Sequence, residues 1–92
     1  MKHILGIDVA KAKLDVALQR PGGKLRSKVV DNTPDGFAVL SAWLLKQGVS
    51  ELHACLEATG TYWEAVAEYL ADGGYTVSVV NPAQIKAFGT AQ

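Results

Sequence analysis

A length of 92 residues with an apolar fraction of 49% allows one small domain with a compact core and excludes a second domain. The formal net charge of zero argues against strong non-specific nucleic-acid binding, and a single cysteine, Cys55, excludes an internal disulfide and a cysteine-rich zinc site. No apolar stretch approaches the ~18 residues of a membrane span and no signal-peptide pattern opens the chain, so we expect a soluble, intracellular protein.

The charges are distributed unevenly along the chain. Residues 1 to 30 contain seven of the nine Lys and Arg residues and two acids, a balance of +5, and the remainder balances at −5. Lys24, Arg26 and Lys28 alternate with uncharged residues, so in a strand they would share one face. Two interpretations carry equal weight: cations that protect an edge strand against aggregation, or a groove wall that faces phosphates.

Three strands are predicted first, over about residues 3 to 9, 13 to 20 and 24 to 30. The second alternates Leu14, Val16 and Leu18 with more polar residues, and Pro21-Gly22-Gly23 turns the chain before the third. Because a parallel return needs a crossover of a dozen or more residues, these short connections predict an antiparallel meander.

Helices then alternate with strands. Thr33-Pro34 has the pattern of a helix start, and Gly48 ends that helix. A strand from Glu51 to Glu57 follows, and the segment from Thr61 to Glu64 has the capping-box pattern that opens a second helix. The last elements are a helix end at Asp72-Gly73-Gly74, a strand over 75 to 80, and a further helix that begins at Asn81-Pro82.

Three meandering strands followed by two βαβ-type crossovers predict a mixed five-stranded α/β sheet with flanking helices, the pattern of the ribonuclease H-like fold. Asp8 ends the first strand and Glu57 ends the fourth. In that topology the two strands are parallel neighbours about 4.8 Å apart, so their terminal carboxylates could hold the metal ions of two-metal phosphoryl transfer. Asp15 and Asp31 also lie in or near strands, and we interpret them as solvated surface charges.

Other polar residues have less specific patterns. Cys55 lies mid-strand between Ala54 and Leu56, which favours core packing over a nucleophile. His3 and His53 alternate with apolar neighbours, which favours structural roles over metal binding.

Several residues are candidates for contact with nucleic acid. Thr59 and Thr61 follow Glu57 in a strand-to-helix turn whose N–H groups could bind a phosphate, although helix capping by Thr61 is the favoured interpretation and the two are compatible. Lys86 could reach DNA or RNA from the last predicted helix, but a lone lysine is usually a solvated surface group. The basic segment adds a list of further candidates: Lys11, Lys13, Lys24, Arg26 and Lys28.

Three motifs occur in a specific order. They are Gly6-Ile7-Asp8-Val9-Ala10-Lys11 with Leu14-Asp15-Val16-Ala17, then Leu56-Glu57-Ala58-Thr59-Gly60-Thr61-Tyr62, then Val80-Asn81-Pro82-Ala83-Gln84-Ile85-Lys86-Ala87-Phe88. Over essentially its whole length the chain resembles the amino-terminal domain of DEDD insertion-sequence transposases, whose relatives include a pilin-gene DNA invertase.

The resemblance implies a Holliday-junction-resolvase-like domain with four acidic metal ligands, of which Asp8 is the first and Glu57 the second. It also implies Mg²⁺, with Mn²⁺ as a substitute, DNA as partner, a homo-oligomeric full-length recombinase and a bacterial cytoplasmic, nucleoid-associated location. Some members use a guide RNA. The third and fourth acids of the family follow the Asn-Pro segment, and this chain has no acid after Asp72. Residues 1–92 are therefore expected to be an incomplete catalytic domain that cleaves no DNA by itself.

Two other classes of protein remain open. An actin-like or sugar-kinase-type ATPase shares the sheet topology, but it uses a small Gly-Thr or Gly-Ser turn after the aspartate, whereas Asp8 is followed by Val9-Ala10-Lys11-Ala12, and no Walker-type loop is present. A noncatalytic nucleic-acid-binding or assembly module would instead bind through the basic meander, with an affinity that falls with salt.

Overall fold

The elements occur in the predicted order. In the computed structural model, which describes residues 2–58 and 60–80, each strand boundary lies within one residue of its prediction. The elements are β1 His3–Val9, β2 Lys13–Gln19, β3 Leu25–Asp31, α1 Pro34–Lys46, β4 Leu52–Glu57, α2 Glu64–Asp72 and β5 Thr76–Val80. The further helix predicted at Asn81-Pro82 lies outside the described residues. Neither described helix is long and apolar enough to cross a membrane.

The five strands form one mixed sheet in the order β3-β2-β1-β4-β5. The meander β1-β2-β3 is antiparallel, whereas β4 pairs in parallel with both β1 and β5. The mixed five-stranded sheet is therefore confirmed. β1 is its central strand, and the two crossovers place the carboxyl ends of β1, β4 and β5 along one edge of the sheet.

Both helices cover the same face of the sheet. Along β1 and β2 buried and exposed residues alternate, and the buried ones join the buried residues of α1 and α2 in a single hydrophobic cluster. The largest fully buried side chains in that cluster are Leu5, Leu14, Leu18, Leu40, Leu44, Leu70 and Val66. We call this the helix-side face, and we call the opposite face, which no described element covers, the open face.

The start of α1 is built as the sequence predicts. The Thr33 side chain caps the helix by accepting a hydrogen bond from the Gly36 backbone N–H at 3.1 Å, and Pro34 is the first helical residue. Gly36 packs directly against the end of β3, since a Cβ atom on it would lie 1.8 Å from the carbonyl oxygen of Asp31. The helix therefore begins in close contact with the sheet.

The predicted capping box at Thr61 is wrong. Helix α2 begins at Glu64, its N-cap position is Trp63, and no side chain caps it. Residues 60 to 63 instead form a turn, in which Gly60 has a φ of 64° and the Trp63 indole N–H donates to the Gly60 carbonyl at 3.0 Å. The carbonyl of Tyr62 accepts a hydrogen bond from Asn32, 30 residues away. A tertiary contact that no local pattern encodes therefore accompanies the later helix start.

Candidate metal centre

Asp8 lies on the open face near the carboxyl end of the central strand. The alternation of β1 buries His3, Leu5 and Ile7 on the helix side, so that Asp8 points away from the core and is exposed to solvent. An ionised carboxylate keeps its hydration there and remains free to bind a ligand.

Glu57 is the last residue of β4 and faces the same way. Ile7 and Leu56 are register partners in the parallel β1–β4 pair, and both are buried on the helix side. The next residue of each strand is an exposed acid, Asp8 on one and Glu57 on the other. Because adjacent strands lie about 4.8 Å apart, the two carboxylates extend from neighbouring positions into the same space. The structure thus brings together the two acids that the sequence singled out.

A shallow depression of about 600 Å³ lies on the open face beside these acids. Asp8 and Glu57 line it, together with the small residues Gly6, Ala17 and Ser27. These three come from adjacent strands, since Gly6 pairs with Ala17 and Ala17 pairs with Ser27. Small side chains here leave room above the sheet, so a bulky ligand such as a phosphodiester can approach the acids.

A third acid, Asp15, also lines the depression. It is the register partner of Asp8 in the antiparallel β1–β2 pair, and it is exposed and mid-strand as expected for a surface charge. The sequence analysis missed its position opposite Asp8. The signal was available, because Asp8 and Asp15 lie equally far from the middle of the turn at Lys11 and Ala12.

The donor chemistry of the site fits a hard divalent cation. Mg²⁺ binds oxygen, typically through one or two carboxylates with waters and substrate phosphate completing its shell. Asp8 and Glu57 supply such oxygens on an open surface. The nearest imidazole on this face belongs to His53, whose Nε2 is hydrogen-bonded to the Ser78 hydroxyl. Among residues 2–58 and 60–80, no group of three or more His, Cys, Asp or Glu side chains is arranged to hold one metal ion.

Cys55 does not have the core position expected for it. It is half-buried on the open face, lines the depression, and pairs with Gly6 and Ser78. Side chains alternate between the two faces along β4. Cys55 lies two positions before the exposed Glu57 and therefore shares its face. His3, by contrast, lies on the helix-side face, where its Nδ1 atom is buried without a hydrogen-bond partner among the described residues.

The cationic candidates are divided between two parts of the sheet. Lys11 lies in the turn after β1 and Lys13 begins β2, so both are exposed at the edge that carries the acids. Arg26 and Lys28 pair with Leu18 and Val16 and therefore share the helix-side face, opposite to the acids. Lys24 precedes β3 at the other edge of the sheet. Of the two threonines, Thr61 is exposed in the loop before α2, and Thr59, like Lys86, lies outside the described residues.

The sheet has the strand order of the ribonuclease H-like fold, and comparison with known proteins identifies the family of the chain. A DEDD transposase family model, described as "Transposase", matches residues 5–92. The chain belongs to this DEDD transposase family.

Curated relatives agree with that assignment, and a solved structure has the same fold. The pilin gene-inverting proteins of Moraxella bovis and Moraxella lacunata are 35% and 34% identical over 89 residues, which is 95% of this chain. The chain spans only 27% of the length of either relative. The structure of Thermus thermophilus RuvC in complex with a Holliday junction matches with a TM-score of 0.57 at 16% identity, covering 91% of this chain and 66% of that one. The ribonuclease H-like fold is therefore confirmed.

Proposed function

We propose that these residues form the amino-terminal part of the catalytic domain of a DNA transposase or site-specific recombinase. In this proposal Asp8 and Glu57 hold divalent cations for cleavage and transfer of DNA strands. The observation that carries it is the placement of both acids on the open face, at the ends of adjacent parallel strands, in a chain of this family.

The two acids have different tasks in this mechanism. Asp8 would contact more than one cation in this proposal, and its position on the central strand between Asp15 and Glu57 supports that role. Glu57 either binds one cation or orients a water molecule as general base. Held by these acids, Mg²⁺ would supply activation of the nucleophile and neutralisation of charge on the scissile phosphate and the leaving oxygen. Mn²⁺ is the expected substitute.

Asp8 and Glu57 are half of the implied ligand set, since the family pattern has four acids. We propose that the missing two lie in the part of the protein that corresponds to the remaining length of the relatives. The 92 residues alone are then inactive, and Mg²⁺-dependent nicking of a plasmid by the purified chain would refute this.

DNA is the proposed partner, and the edge that carries the acids is the proposed contact. Lys11, Lys13 and Thr61 lie at this edge, and Thr59 and Lys86 are proposed to join them. Arg26 and Lys28 face the other way, so we propose that, with Lys24, they bind DNA outside the cleavage site. We further propose that the full-length protein is a homo-oligomer and acts at the nucleoid. Guidance by RNA, as in some members of the family, is also part of the proposal.

The test uses the full-length gene product on a supercoiled plasmid and a four-way DNA junction. Asp8→Asn and Glu57→Gln should abolish Mg²⁺-dependent cleavage while DNA binding and the melting temperature stay near wild type. Glu68→Gln, a neutralised exposed acid on α2, is the matched control and should cleave normally. Wild-type cleavage rates in both site variants would end the proposal.

The two alternative classes, an ATPase domain and a noncatalytic binding module, predict different results for the same protein. An ATPase domain should be stabilised against melting by ATP, whereas the nuclease proposal expects stabilisation by Mg²⁺ or Mn²⁺ without nucleotide. A noncatalytic binding module should show salt-sensitive DNA affinity and no cleavage, and Asp8→Ala should leave both unchanged.

A further inference from the structure

We propose that Asn32 is a positioning residue for the two acids. Its side-chain amide ties the turn that follows β1 to the loop that follows β4, and so fixes the spacing of Asp8 and Glu57. This inference rests on the proposed function, because it concerns the same metal-binding pair.

The contacts that carry the inference are two hydrogen bonds from one nitrogen atom. Asn32 Nδ2 donates to the carbonyl oxygen of Ala10 at 2.9 Å and to that of Tyr62 at 3.0 Å. A primary amide has two N–H groups, so both bonds can form at once. Ala10 lies two residues after Asp8, and Tyr62 lies five residues after Glu57. One side chain therefore connects the two acid-bearing segments.

The direct pairing between β1 and β4 stops just before the acids. The register of β1 with β4 ends at Ile7 and Leu56, one residue short of Asp8 and Glu57. Beyond that pair Asp8 remains paired with Asp15 of β2 and Glu57 with Val80 of β5, so no backbone pair joins the two acids directly. The Asn32 amide supplies a second tie on the far side, so that the acids lie between two fixed points.

Asn32 is itself firmly held. Its backbone N–H donates to the Ala12 carbonyl at 2.9 Å, which joins it to the same turn. On one side it follows β3, and on the other it precedes the Thr33 cap of α1. The close packing of Gly36 on Asp31 fixes the helix start against the end of β3. The amide therefore projects from a segment that is hydrogen-bonded to the turn after β1 and packed against the start of α1.

The chemistry of the contact requires a side chain with two donors and no net charge. Aspartate has the same shape but would turn oxygen atoms toward the two carbonyls, and leucine has a similar size but no donor. Loss of the tie should loosen the loops without unfolding the sheet, because the core lies on the helix-side face. We therefore expect weaker cation binding, with the fold retained.

The experiment compares Asn32→Leu and Asn32→Asp with Thr33→Ala in the full-length gene product. Thr33→Ala is the matched control, because it removes a cap next to Asn32 and touches neither loop. The first measurement is amide hydrogen exchange in segments 10–12 and 60–63 relative to the buried residues of β1, which neither substituted residue caps. The second is the Mn²⁺ concentration that half-saturates the protein, followed by the spin resonance of free Mn²⁺.

The expected result is faster exchange in both loops of the Asn32 variants and a roughly 10-fold higher half-saturating Mn²⁺ concentration. Cleavage should recover at high Mn²⁺, and Thr33→Ala should change neither quantity. Unchanged loop exchange in Asn32→Leu overturns the inference, as does a Thr33→Ala variant that weakens Mn²⁺ binding equally. Failure of the proposed function is seen separately, as an Asp8→Asn variant that binds Mn²⁺ as tightly as the wild-type protein.

Discussion

The two faces of the sheet differ in the residues that they carry: one face forms the hydrophobic core, and the other carries the candidate metal site. The helix-side face carries the large aliphatic residues that join α1 and α2 in one core. The open face carries Asp8, Asp15 and Glu57 together with small residues. Since residues alternate along a strand, a single heptapeptide such as β1 contributes to both. Substitutions on the helix-side face should therefore change stability, and substitutions on the open face should change the candidate metal site, independently of each other.

The largest effect should come from Asp8→Asn, which keeps the side-chain shape and removes the charge. We expect at least a roughly hundredfold loss of Mg²⁺-dependent strand cleavage by the full-length protein, because the cation loses a ligand needed in the transition state. The melting temperature should change little, since Asp8 is exposed. Cleavage measured alongside thermal denaturation checks both statements. A variant that loses activity only because it unfolds would contradict the claim that open-face residues do not stabilise the fold.

Leu5→Ala is the opposite case, three residues earlier in the same strand. Leu5 is fully buried on the helix-side face, so the truncation should cost about 2–5 kcal/mol of unfolding free energy. Denaturant unfolding measures this loss. Cleavage per folded molecule should be retained, and a stability loss below that of an exposed-site control such as Ile4→Ala would contradict the assignment of the faces.

Gly36→Ala tests the contact between α1 and the end of β3 through the sign of its effect. Helix propensity alone predicts stabilisation of about 1 kcal/mol, because alanine is the better helix former. The added Cβ would meet the Asp31 carbonyl at 1.8 Å, so we expect net destabilisation of about 1–3 kcal/mol. Ala38→Gly, at an exposed position of the same helix, gives the propensity term for comparison. A more stable Gly36→Ala variant would show that the contact is loose.

The smallest effect should come from Asp15→Asn measured without divalent cations. Like charges directly opposite each other on a sheet are destabilising, so neutralising Asp15 should stabilise the fold by about 0.2–1 kcal/mol. Denaturant unfolding in EDTA against Glu68→Gln isolates this pair from a general charge effect. Equal stability changes in the two variants would mean that Asp8 and Asp15 do not interact.

Local patterns predict most of the fold, because each strand signal coincides with a real strand and each turn residue with a real turn. Thr33-Pro34 is a good example, since its cap and first helical residue act only on their own neighbours. Thr61 shows the limit of such patterns. Its capping box does not form, and the chain there is joined to Asn32, which lies 30 residues from Tyr62. Contacts of that range are not encoded in any window of neighbouring residues.

The candidate site is predictable to a similar extent. The sequence identifies Asp8 and Glu57 because both end apolar strands, and the topology brings those strands together. It misses Asp15 and misplaces Cys55, because both assignments require the register and parity of specific strand pairs. It also groups Arg26 and Lys28 correctly on one face without showing that this face is opposite to the acids.

The most direct measurement of the central claim is anomalous diffraction from crystals of the full-length protein soaked in Mn²⁺. The proposal predicts a peak on the open face about 2.1 Å from a carboxylate oxygen of Asp8, with Glu57 either a second ligand or hydrogen-bonded to a metal-bound water. A peak bound to neither residue, or no peak at a Mn²⁺ concentration that supports cleavage, would contradict it.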